Sequence, residues 1–160
     1  MTEFFLEYKT YIVFLHVISA VVWVGGMVAL RYAAHPSFME IESPGQRLER
    51  VSHALKNLFI IVAPFILILV VTAVLMIKGY SISSTDYKTI GYAKEGIWTV
   101  MFIAYLVMVY RRNKAAKALV QGDFVTAKNQ LGMIGRFMVP LNITLGTIAI
   151  FLGSYFSSVF

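Results

Sequence analysis

The stretch FLHVISAVVWVGGM, residues 14–27, places a histidine and two glycines in an otherwise apolar run. An ionisable residue in such a run faces the interior of a helix bundle by default and indicates a functional site. Neutral imidazole is a common axial ligand of haem iron, and helix bundles build such sites from inward-facing side chains. The side chains that share a helical face with His16 are small or flat: Ser19, Ala20, Trp23 and Gly26. We therefore predict that His16 binds a metal and that Trp23 and Gly26 line a cofactor groove, although helix packing explains the glycines equally well.

Groups that could complete this site must come from the other apolar segments. At the depth of His16 the second segment offers Met76 and the third offers Lys94. Either is a candidate sixth ligand of a haem iron, which could also be five-coordinate, and a lysine ligand needs burial to become a neutral amine. Alternatively, Lys94 could pair with a haem propionate. No second histidine lies at this depth in the sequence, so a bis-histidine site would need a second copy of the chain in a homo-oligomer.

The remaining histidines and the methionines suggest other chemistry. A helical rise of about 1.5 Å per residue separates His16 from His35 by roughly 28 Å, so the two cannot share an ion. His35 and His53 flank one polar loop, and we expect both to face solvent or lipid headgroups. Met101 and Met108 are spaced i, i+7 on one helical face. Thioethers bind Cu(I), which keeps copper as an alternative ligand, although such a stripe is more often packing.

The composition predicts the elements that must position these residues. The chain has 160 residues, of which 59% are hydrophobic, and a mean hydropathy of +0.75. These values argue against an ordinary soluble domain. About 20 apolar helical residues span a bilayer, and four segments meet that length. We predict an all-α integral membrane four-helix bundle, a single domain over residues 1–160, with helices at about 9–34, 55–78, 93–111 and 136–157.

The basic residues predict the orientation of the bundle. Of the 14 lysines and arginines, 10 lie in or beside the loops at 35–54 and 112–135, and 4 lie on the opposite side. The positive-inside rule places these two loops in the cytoplasm and both termini in the periplasm of a bacterial inner membrane. The net charge of +6 then reflects this asymmetry, and we predict no nucleic-acid partner. Residues 113–135 are predicted to form an amphipathic helix–turn–helix beside the membrane.

The motif LHVISAVVWVGGM resembles the first helix of the HemJ family, the four-helix membrane protoporphyrinogen oxidases. The same spacing of His16, Trp23 and Gly26 resembles the start of the copper-resistance D (CopD) membrane domain. Lys56 and Pro64 also stand at positions that match HemJ, as Lys94 and Tyr105 do more loosely. The resemblance implies that His16 is the ligand of haem b and that Lys94 is a candidate second ligand.

Three hypotheses follow for the function. The first is a haem b-binding inner-membrane protein with a redox role, with quinone or a redox protein as its partner; if it is an enzyme, it is an oxidoreductase. The second is a copper-handling membrane protein similar to the CopD domain. The third is a structural or assembly subunit without a cofactor, which docks through its basic loops. Fold class alone does not separate the three.

Overall fold

A computed structural model describes residues 2–80 and 88–157, and helices make up nearly all of them. No strand occurs in those two ranges. Two of the elements are five-residue π-helical segments, here called π1 and π2. In chain order the elements are α1 (Thr2–Ala29), π1 (Leu30–Ala34), α2 (His35–Met39), α3 (Pro44–Gly79), α4 (Lys88–Val120), α5 (Phe124–Met133), π2 (Ile134–Met138) and α6 (Val139–Ser157).

These elements join end to end into long helical runs, which we call rods. Among the described residues, four helical runs are long and apolar enough to cross a membrane: Glu3–Met39, Pro44–Gly79, Gly91–Val120 and Phe124–Tyr155. The all-α class and the number of long apolar helices are therefore confirmed. The helices extend beyond the predicted bounds. They continue through most of residues 35–54, which we expected to be a loop, and through 112–135, where we predicted a helix–turn–helix between the spanning helices.

The basic segments are helical because their residues favour helix. Lysine, arginine, alanine and glutamine have high helix propensity, and a change from apolar to charged residues does not end a helix. The predicted loop at 35–54 shrinks to residues 40–43, since Pro44 begins α3 at a position where its missing N–H costs nothing. In the predicted loop at 112–135, α4 continues to Val120 and α5 follows after three residues.

The turn between α4 and α5 confirms the predicted helix–turn–helix. Gly122 has a φ of +73°, a left-handed conformation that glycine adopts at little cost at the end of a helix. Asp123 then caps α5, because its Oδ1 accepts a hydrogen bond of 3.0 Å from the backbone N–H of Thr126. Glycine and aspartate together reverse the chain within three residues.

Both π segments lie just before a proline. π1 precedes Pro36, and π2 precedes Pro140. Proline has no N–H for the carbonyl four residues earlier, and its ring clashes with that carbonyl. A wider π turn absorbs both defects without ending the helix. Pro64, by contrast, lies inside α3 with no π segment beside it.

The long helices are arranged up-down-up-down. α1 is antiparallel to α3, since Phe5 contacts Gly79 while Gly26 contacts Leu58. The pairs Phe59–Tyr105 and Ser52–Arg112 show that α3 is antiparallel to α4. Lys94–Gly153 and Met101–Gly146 show the same for α4 and α6. One end of the bundle, here the terminal end, therefore holds both ends of the described chain. The opposite end, here the basic end, holds most of the cationic residues.

The core and the surface of the bundle are both apolar. In the middle of the core, Tyr105 packs edge-on against Phe59 and Trp23, at centroid distances of 5.6 and 6.3 Å. Large apolar side chains are also exposed on all four rods, among them Phe14, Leu67, Ile103 and Phe151. An apolar surface of this extent suits contact with a lipid bilayer.

Candidate functional site

His16 is held by a hydroxyl group from a neighbouring helix. Its Nδ1 lies 2.9 Å from Oγ1 of Thr72, on α3. The Thr72 hydroxyl also lies 2.7 Å from the backbone carbonyl of Ile68, one turn earlier, and donates to it. Because a hydroxyl has one proton, we assign the proton of the His16–Thr72 bond to Nδ1. In the neutral form of the ring with this tautomer, Nε2 carries the free lone pair that a metal ligand needs.

Lys94 approaches this histidine from α4. The two side chains are close enough to interact electrostatically. The Lys94 Nζ lies 3.2 Å from the position that a Cβ would occupy at Gly153, so α6 makes room for the ammonium group by having a glycine there. The side chain of Lys94 is half-buried, and it makes no hydrogen bond or ion pair with any residue in 2–80 or 88–157.

All four rods contribute to this group, which we call the His16 cluster. Its members are His16 on α1, Thr72 on α3, Lys94 on α4 and Gly153 on α6. Such a layer of polar groups inside an apolar bundle is the kind of place where helix bundles hold a ligand. The tertiary structure thus brings two of the predicted site residues, His16 and Lys94, to the same place.

Two donors on α4, the Lys94 ammonium and the Trp98 indole N–H, lack an acceptor in the described ranges. Trp98 lies one turn from Lys94 on the same helical face and stacks on Phe102 at 5.2 Å. The Trp98 Nε1 is buried and has no hydrogen-bond acceptor. An indole N–H and an ammonium group that both lack an acceptor fit a ligand with anionic oxygens, such as a carboxylate. This is also the chemistry of haem propionates.

Met76, the other candidate sixth ligand, lies one turn beyond Thr72 on α3. Helical spacing puts the two on the same face, and Met76 is half-buried. The backbone carbonyl of Met76 accepts a hydrogen bond of 2.9 Å from the N–H of Tyr80 near the end of α3. Met76 is thus placed toward the terminal end, and its role as a ligand stays a prediction.

Trp23 and Gly26 are packed against side chains of this chain. Trp23 is 1% exposed, and its edge contact with Tyr105 lies in the middle of the core. A Cβ at Gly26 would stand 2.8 Å from Cδ1 of Leu58, whereas Gly25 has nothing within 4 Å of that position. Gly26 therefore serves the close contact of α1 with α3. The role of Trp23 and Gly26 in lining a cofactor groove stays a prediction.

The other candidate ligands lie apart from the cluster. His53 is exposed and His35 is partly exposed, and neither imidazole makes a hydrogen bond within the described ranges. Met101 and Met108 are both buried in the core, where Met101 packs against Gly146. No group of three or more His, Cys, Asp or Glu residues close enough to hold a metal occurs in the part of the chain that the structure describes.

Sequence reasoning missed Thr72 and Gly153. Thr72 is the one hydroxyl residue in the aliphatic run FILILVVTAVLM, and a polar side chain in such a run was a usable signal. Its partner could not be inferred, because the pairing depends on the register between α1 and α3. Gly153 gave no signal of its own.

Comparison with known proteins adds no assignment. The chain matches no family model, no curated protein and no solved structure. The resemblance to HemJ and the CopD domain therefore rests on the residues of the first helix and their spacing.

Proposed function

We propose that this chain is a multi-pass protein of a bacterial inner membrane that binds haem b through His16 and has a redox role. The arrangement of His16 carries the proposal. Thr72 fixes the ring through Nδ1 and leaves Nε2 free, which is how metal-binding histidines are generally oriented by a second group. When bound, haem would supply one-electron redox chemistry tuned by its axial ligand.

Lys94 and its neighbour Trp98 have a separate role in this proposal. Lys94 and the Trp98 Nε1 would donate to propionate oxygens, since both are donors without an acceptor in the described ranges. If Lys94 pairs with a propionate, it cannot also be the sixth ligand. The low polarity of the surrounding bundle would keep water from the site. If the protein is an enzyme, the resemblance to HemJ implies the oxidation of a porphyrinogen-like substrate, with a quinone or a redox protein as the electron acceptor.

A visible spectrum tests the haem site. The protein is expressed in a bacterial host with ample haem supply and purified in detergent, and its reduced-minus-oxidised difference is recorded. We expect a Soret and an α band in the wild type, their loss in His16→Ala, and their return when imidazole is added to that variant. His53→Ala, at an exposed histidine, is the matched control and keeps the spectrum.

Two results contradict this proposal. A colourless wild type that elutes as a folded species would contradict the haem hypothesis. Cu(I) binding would then be measured, with Met101→Leu as the comparison. An unchanged spectrum in His16→Ala would show that haem is bound elsewhere. Neither result bears on the proposed orientation of the chain in the membrane.

The proposed orientation puts the basic end in the cytoplasm and the terminal end in the periplasm. Ten of the 14 basic residues support it through the positive-inside rule. The chain has no cysteine, so single cysteines give an unambiguous test. In intact cells, a membrane-impermeant maleimide should label Glu7→Cys and leave Lys114→Cys unlabelled. The reverse pattern would overturn the orientation.

A further inference from the structure

A cleft opens between α3 and α4 near the basic end, far from the His16 cluster. Its volume is about 270 Å³, and it runs from Arg112 down to Tyr105. Seven residues of helix give it a length of about 10 Å along the two helices. Tyr105 lines it, and the Tyr105 hydroxyl donates a hydrogen bond of 2.9 Å to the carbonyl of Phe59. The cleft is open on its outer side, and we call its end near Arg112 the mouth.

The cleft has an apolar wall and a cationic mouth. Phe59, Ala63 and Val109 line the wall, and Lys56 and Arg112 lie nearer the basic end. No acidic residue lines the cleft. A ligand that fits must therefore carry negative charge at one end and hydrocarbon at the other.

The two cations at the mouth are not neutralised by the chain. Arg112 donates through Nε to the Ser52 carbonyl and through Nη1 to the Asn113 side chain, both neutral acceptors. These bonds fix the guanidinium group in place, and its Nη2 makes no hydrogen bond within the described ranges. The Lys56 side chain is exposed, and it makes neither a hydrogen bond nor an ion pair with any described residue. Arginine and lysine held in this way suit a phosphate group.

We propose that the α3–α4 cleft binds one anionic phospholipid, with its phosphate between Lys56 and Arg112 and part of one acyl chain along the apolar wall. The apolar wall favours a lipid over a free phosphate ion, which would make no use of Phe59, Ala63 or Val109. The volume is below that of a pocket that encloses a whole small molecule, and it suits a chain segment that stays partly in the bilayer. The site rests on insertion in a membrane and is independent of haem.

The binding of defined lipids to the purified protein in detergent tests this proposal. The probes are dioleoyl-phosphatidylglycerol, dioleoyl-phosphatidylcholine and inorganic phosphate, and the bound lipid is counted by native mass spectrometry. We expect one phosphatidylglycerol to bind at concentrations where phosphatidylcholine does not. Lys56→Gln should weaken binding about fivefold, the effect of removing one cation near an anionic headgroup. Ala63→Phe should abolish it, because the ring fills the cleft.

The matched control is Lys114→Gln, which removes an exposed cation at the same end without touching the cleft. An equal loss in Lys56→Gln and Lys114→Gln would overturn the proposal, since it would show general attraction to a basic surface. Competition by millimolar phosphate with no effect of Ala63→Phe would also overturn it, by indicating a free-anion site. If Ala63→Phe does not fold, Ile60→Glu, which adds a like charge to the exposed rim, replaces it. The haem spectrum of Lys56→Gln should not change, so failure here is distinguishable from failure of the haem proposal.

Discussion

Tyr105 in the middle of the core and His16 in its cluster use their polar atoms in opposite ways. In the middle of the core, the Tyr105 hydroxyl donates to a carbonyl of α3, and its ring contacts Trp23 and Phe59 edge-on. In the His16 cluster, the imidazole uses one nitrogen and leaves the other free, and the Lys94 ammonium has no partner within the described ranges. Tyr105 is satisfied by the fold itself, whereas His16 and Lys94 are only positioned by it.

This contrast separates structural from functional polar groups. A buried polar group without a partner costs stability, and proteins retain such groups where a ligand, water or reaction uses them. The same test assigns Ser19 and Thr147 to structure, since each hydroxyl donates to a carbonyl of its own helix. The Trp23 Nε1 and the Asn142 Oδ1 are also buried without a partner among the described residues. The His16 cluster differs from them because it brings two ionisable side chains, His16 and Lys94, together from two helices, and it therefore stays the candidate site. Four predictions can break or sharpen the comparison.

The largest effect is expected in the middle of the core. Tyr105→Ala removes a buried ring and should lower the free energy of unfolding by about 3 to 5 kcal/mol. Tyr105→Phe removes only the hydrogen bond and should cost about 1 kcal/mol. His16→Ala removes a smaller, partly exposed ring and its hydrogen bond to Thr72, and should cost about 2 kcal/mol. Unfolding in mixed micelles measures all three; equal costs for His16→Ala and Tyr105→Ala would make His16 a structural residue.

The next effect separates two adjacent glycines. Gly26→Val places a branched side chain against Leu58 and should cost about 2 kcal/mol, as overpacking at a helix contact does. Gly25→Val meets open space and should leave the free energy of unfolding nearly unchanged. The same unfolding assay provides the comparison. If both variants lose haem while keeping their stability, the predicted groove beside His16 would be supported instead.

A smaller effect is expected at the group that orients the histidine. Thr72→Val should cost about 1 kcal/mol of stability, and by losing the bond to Nδ1 it should weaken haem binding about 10- to 100-fold. Thr72→Ser keeps the hydroxyl and should restore most of the affinity. Haem titration of the apoprotein measures both. Wild-type affinity in Thr72→Val would show that Thr72 does not orient His16.

The smallest effect is a pH dependence at the basic end. Hydrogen bonds from Thr126 lower the pKa of the exposed Asp123 below its ordinary value of 3.8. A lowered pKa in the folded state adds stability above pH 3.8, and that stability is lost as the pH falls through the folded pKa. Asp123→Asn keeps a capping side chain but cannot titrate. Wild type should therefore lose slightly more stability than the variant between pH 5 and pH 3, and identical acid profiles would contradict the cap.

The sequence by itself determined the class of the molecule. Apolar runs as long as those around His16 and Pro64 can satisfy their backbone groups in a membrane only as helices, so four such runs predict four rods. The turn at Gly122 and Asp123 was also predictable, because glycine and an N-cap residue are local signals. His16 was identifiable as a candidate ligand because one ionisable residue stands out in an apolar run.

Only the tertiary structure decided the partners of these residues. The register and rotation of α3 relative to α1 decide whether His16 contacts Thr72 or Met76. A shift of α3 by one helical turn would replace Thr72 with Met76 at this position. The same rotation decides that Gly26 contacts Leu58 while Gly25 faces outward. The α3–α4 cleft also depends on this packing, because Lys56 and Arg112 are far apart in the chain. Hydropathy and local propensity report how each helix forms, whereas register and rotation are set by side-chain packing between helices.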